Sequence, residues 1–153
     1  IVEDGDSGRA QFDTVVGFDI DSDLADGIDA DVDVMNVTGE SQIVADVTDV
    51  VEDGVIIGTL ADAISTSTSL LAAVQLIEQE FQSTSSPGDQ DGVVAFEYQG
   101  NTYLASIDDG GAAAGFQETV SDLIQLQGVT GVTDLQLAGD PNTATGIDVV
   151  FFG

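Results

Sequence analysis

Val93-Val94-Ala95-Phe96-Glu97-Tyr98-Gln99-Gly100-Asn101-Thr102-Tyr103-Leu104-Ala105-Ser106-Ile107 reads as a β-hairpin. Val93–Tyr98 is one strand, rich in β-branched and aromatic residues that suit a pleated surface. Gln99-Gly100-Asn101 is the turn, where glycine supplies the backbone freedom that a tight connection needs. Thr102–Ile107 returns.

Downstream, Asp108-Asp109-Gly110-Gly111 closes the hairpin. Asp122–Gln127 predicts another strand, Gly128-Val129-Thr130-Gly131 a turn, and Asp134–Ala138 a short strand or helical turn. Ile147-Asp148-Val149-Val150-Phe151-Phe152 is a terminal strand, too apolar to be left in water. It alternates poorly, so it is expected to pair with both of its faces covered.

Upstream, Leu60, Ile64, Leu71, Val74, Ile77 and Phe81 recur at helical spacing. Ser67 or Ser69 caps a helix of about 69–82, with a shorter helical turn over Leu60–Ile64. Residues 43–57 are rich in Val and Ile and predict one or two strands around a Glu52-Asp53-Gly54 turn. Phe12, Val15, Val16 and Phe18 give strand character near the start. The fold expected is mainly β, a β-roll or β-sandwich with one substantial α-helix packed against it, and residues 1–153 forming a single domain.

The charge narrows the function. There are 29 acidic residues and one basic residue, for a net charge of −28. Intramolecular salt bridges are nearly impossible, so self-repulsion must be offset by salt or bound cations. Nucleic acid needs a basic footprint and is excluded as a partner. Direct membrane insertion is not expected, since no apolar run is long enough to span a bilayer. Cysteine and histidine are both absent, which removes thiolate nucleophiles, imidazole bases and the usual zinc sites. Carboxylate pairs are plentiful, but there is no Trp and only two Tyr to stack on a sugar. The expectation is a protein that is not an enzyme. The start at Ile1 is expected to reflect processing or trimming of a longer chain.

The acids are 22 Asp and 7 Glu. Short Asp stems near turns suit a hard cation that wants six to eight oxygens. Residues 1–33 hold 11 of the carboxylates. Within them, Asp19, Asp21 and Asp23 form one ladder, and Asp29, Asp31 and Asp33 another. Spacing by two puts each set on one face of an extended segment. Neither ladder matches an EF-hand loop, because Leu24 and Val34 stand where that loop needs glycine. The ladders read as calcium ligands or as a solvated acidic face. Asp89 and Asp91, in the loop after the helix, read as a second cation site or as an ordinary connection.

Several stretches resemble one family. Asp6-Ser7-Gly8-Arg9-Ala10-Gln11-Phe12-Asp13-Thr14-Val15-Val16-Gly17-Phe18-Asp19 resembles the last turn of a calcium-binding RTX β-roll and the strand that follows it. The helix containing Ser69–Val74, the hairpin Val94–Leu104 and the strand Asp122–Val129 are similar to the helix, hairpin and strand of the same carboxyl-terminal domain, seen in serralysin-like proteins exported by type I secretion. The resemblance touches most of the chain in order. It implies an extracellular domain that folds when calcium becomes available, ending in apolar residues after acidic ones, as Asp148–Phe152 does. The repeat-bound calcium sites do not carry over; only a remnant around Asp4–Asp13 matches, and Asp4, Asp6 and Asp13 are expected among the metal ligands. The glycine-rich nonapeptide repeats themselves are missing.

The function expected is therefore a non-catalytic, calcium-stabilised structural or surface-layer domain at the cell surface. One alternative is a self-assembling filament or matrix subunit, whose partners are identical subunits joined by strand exchange. Another is the non-catalytic tail of a secreted hydrolase.

Overall fold

A computed structural model describes residues 13–18, 20, 35–37, 42–84, 92–108, 119–137 and 147–153. Strand accounts for 47% of the described residues and helix for 24%, so the chain is mainly β, as expected. In chain order the elements are β1 (Asp13–Val16), β2 (Met35–Val37), β3 (Val51–Glu52), β4 (Val55–Ile56), α1 (Gly58–Ser65), α2 (Leu70–Thr84), β5 (Gly92–Tyr98), β6 (Asn101–Asp108), β7 (Thr119–Gln127), β8 (Asp134–Leu137) and β9 (Ile147–Phe152).

Six strands form a mixed sheet in the order β1-β7-β6-β5-β4-β3, and three form a second sheet in the order β2-β9-β8. The predicted hairpin is the middle of the large sheet. Gly92 pairs with Ile107 at one end and Tyr98 with Asn101 at the other. Gln99 and Gly100 both take positive φ, at 50° and 76°, the backbone twist that matches the flanking strands. β7 follows antiparallel to β6, with a register shift between Ser106 and Ile107. Two neighbours join in parallel, β1 beside β7 and β4 beside β5.

The hairpin's two faces feed two different cores. Val94, Phe96, Tyr98, Tyr103, Ala105 and Ile107 pack with the helices, through Leu60, Ile64, Val74, Ile77 and Phe81. Val93, Ala95 and Leu104 pack on the other side with Ile124 and Leu126, against Val37, Leu135, Val149 and Phe151 of the small sheet. The molecule is thus layered as helices, large sheet, small sheet. This is why β5 is almost wholly buried, with Glu97 its one exposed residue.

Two helices cover the large sheet where the periodicity predicts one of substance. α2 starts as expected at Ser69, whose Oγ accepts a hydrogen bond from Ala72 N at 3.1 Å. Its buried stripe runs through Ala73, Val74, Ile77 and Phe81, with Leu70 partly buried. Leu71, assigned to the stripe from the spacing, is 49% exposed. At about 100° per residue it stands about 60° from Val74 on the side away from Leu70. Glu78 ties α2 to the sheet, its Oε1 accepting from Val120 N at 3.0 Å.

The terminal strand is the centre of the small sheet. β9 is antiparallel to both β2 and β8, with Met35 opposite Val149 and Leu135 opposite Phe151. Val149, Phe151 and Phe152 are buried. Phe18 meets Phe151 edge to face, with centroids 5.2 Å apart. The poor alternation of 147–152 follows from this, because residues of both parities have neighbours to pack on.

Candidate functional site

The acidic residues singled out from the sequence divide sharply. Asp13 opens β1 opposite Ile124 and is half-buried. By strand alternation it shares a face with Val15, which packs against the core between the sheets. Asp4, Asp6, Asp19, Asp21, Asp23, Asp29, Asp31, Asp33, Asp89 and Asp91 lie outside the described residues. Two described residues near the ladders in sequence, Ile20 and Met35, belong to one region of the fold. Ile20 packs in the core between the sheets. A Cβ added at Gly153 would come within 2.7 Å of Ile20 Cδ1. Met35 begins β2, beside the same terminal strand.

Among the described residues no three acidic side chains converge as a metal-binding group. Of the acidic side chains whose exposure is described, only Asp122 is buried. It lies on β7 opposite Ser106, at the register shift. Asp46 and Glu97 serve the backbone. Asp46 Oδ1 accepts from Asp53 N at 2.9 Å, holding the β3–β4 turn, and Glu97 Oε1 accepts from Gly131 N.

That last bond belongs to a strap where the chain crosses between the sheets. Asn101 Oδ1 accepts from Gly128 N at 2.9 Å, and Thr102 Oγ1 donates to Val129 O at 3.0 Å inside the protein. Thr133 N donates to Phe152 O at 2.7 Å and Leu135 N to Asp53 O at 2.9 Å. The segment between β7 and β8 is therefore held by the hairpin at one end and by the small sheet and the β3–β4 turn at the other.

Beside this strap a cleft of about 410 Å³ opens between β4, α1, the end of β5 and residues 132–133. Gly58 is one of the lining residues. With φ at +63° it turns the chain from β4 into α1, and a Cβ there would come within 2.6 Å of Asp49 O. Phe96, Ile64 and Val132 are buried at the cleft, while Asp62 and Glu97 are exposed. Sequence reasoning did not anticipate it. The available signal was Ile57-Gly58, a glycine at a strand-to-helix junction. The wall at residues 132–133 comes from a segment some 75 positions away, which no local pattern reports.

Compared with family models, with curated proteins and with solved structures, the chain matches none of them.

Proposed function

We propose that this chain is a non-catalytic, calcium-stabilised extracellular structural domain, of the kind that its resemblance to RTX carboxyl-terminal domains implies. The observation that carries the reading is the charge. A net −28 with Arg9 as the single basic residue leaves the carboxylates almost no countercharge within the chain. Cations must come from solution, and a compact fold holds these like charges close together. The predominance of Asp, and its concentration in residues 1–33, favour a hard divalent ion over sodium.

The Asp ladders are the proposed ligands, with Asp4, Asp6 and Asp13 as the remnant of a repeat and Asp89 and Asp91 as a further pair. The test is calcium titration calorimetry on the chain and on a double variant, Asp21→Asn with Asp23→Asn. Asparagine keeps the shape and removes the charge. The variant is expected to lose at least about tenfold in calcium affinity, since each lost carboxylate removes a charge-assisted ligand. Unchanged affinity would remove the ladder from the proposal. Greater calcium-free stability in the variant would fit relief of repulsion between neighbouring carboxylates.

A further inference from the structure

We infer that the cleft beside α1 binds a small organic cation with an apolar body, a primary alkylammonium being the simplest case. At about 410 Å³ the cleft falls in the range of small-molecule sites, roughly 300–1,000 Å³. Its walls have two chemistries. Phe96 and Val132 are buried, Ile57 and Ala61 half-buried, and all four present hydrocarbon. Asp62 from α1 and Glu97 from β5 supply carboxylates.

Neither carboxylate has a basic side chain near it among the described residues, because the chain's one basic residue is Arg9. A cation is the ligand whose charge complements these carboxylates. Glu97 is held in place by the bond from Gly131 N to its Oε1, which leaves Oε2 for a ligand. The walls also distinguish the chemistry of this cleft from that of a calcium site. Calcium wants six to eight oxygens, and a site with four hydrocarbon walls covers the body of an alkylammonium better than it replaces a hydration shell. The ammonium head meets the carboxylates, the alkyl tail covers Ile57, Ala61, Phe96 and Val132, and the field of the whole acidic chain concentrates the cation nearby.

The experiment is a titration of the ¹⁵N-labelled full chain with n-hexylammonium, followed by amide chemical shifts. It is run with saturating calcium and about 0.15 M sodium chloride, so that diffuse attraction is screened. n-Hexanol and hexanoate are the matched controls. Saturable shifts are expected at Ile57, Ala61, Glu97 and Thr133, weaker ones with hexanol and none with hexanoate. Asp62→Asn and Glu97→Gln should each weaken hexylammonium about two- to fivefold, the effect of removing one partly solvated charge partner. Melting curves establish that each variant is folded. Should a variant fail to fold, the comparison of hexylammonium with hexanol on the unaltered chain still decides. Equal binding of hexanol would overturn the cationic preference. Absence of saturable shifts at these amides, or shifts spread evenly over the acidic surface, would overturn the site.

Discussion

Gly54 has φ +75°, and a Cβ built on it would stand 2.5 Å from Ile43 Cγ2 and 3.1 Å from Leu135 Cβ. The residue lets the β3–β4 turn press against β8. Gly54→Ala adds left-handed strain and an overlap in a packed core, and is expected to cost about 2–4 kcal/mol, measured by urea unfolding. Tyr103 tests the opposite face. It stacks on Phe96 at 5.3 Å, and burial, then the nearby Tyr98, raise its pKa above 10.0. A phenol that holds its proton more tightly when folded leaves stability intact below the unfolded pKa. Stability then falls as pH rises from there through the folded pKa. Melting temperature should therefore drop above about pH 10, and Tyr103→Phe should reduce that drop. A variant with the same alkaline slope would assign it to other groups. At this scale the sequence was readable where a residue type has few uses, as with the turn glycines. Leu71 was misplaced because i, i+3 spacing from Val74 puts it only about 60° off the stripe, while Leu70, on the other side of Val74, takes the partly buried place.

Among the elements, β9 decides how the small sheet holds together. A strand of six residues lies between β2 and β8 and supplies Val149, Phe151 and Phe152 to the core. Removing residues 147–153 leaves its two neighbours without a common partner, so the truncated monomer is expected not to fold. The milder Phe151→Ala should cost about 3–5 kcal/mol, read by denaturant unfolding with circular dichroism. A truncated chain that stays folded would contradict the architecture. The terminal strand and the β5–β6 hairpin could be read from sequence because both signals are local, a composition and a turn. The parallel partners could not. β1 meets β7 across 111 positions, and β4 meets β5 across an intervening helical pair. Nothing in a short window encodes such pairing, which follows from closing the layers over one sheet. The same limit explains why α1 was anticipated only as a helical turn: eight residues carry about two turns of periodicity, and its burial against β5 depends on Gly58.

As a whole the molecule sets a dense apolar interior against a surface of nearly one sign. Apolar residues fill both sides of the large sheet, and a net charge of −28 opposes the compaction they drive. The fold class was legible because strand composition and one long amphipathic stripe dominate the chain. The proposed ligand set rests on composition and spacing, since a calcium site is assembled by convergence of distant oxygens rather than by a run of residues. β9 pairs within its own chain as the central strand of the small sheet.

The most direct measurement is thermal unfolding of the full chain in calcium, in chelator, and in sodium chloride at matched ionic strength. A ligand held only by the native state adds stability by mass action, about 2.7 kcal/mol at a hundredfold excess over its dissociation constant. Calcium at that excess should raise the melting temperature well above the sodium sample, and chelator should remove the gain. Equal protection by sodium would show that screening alone stabilises the chain, and would contradict specific calcium sites.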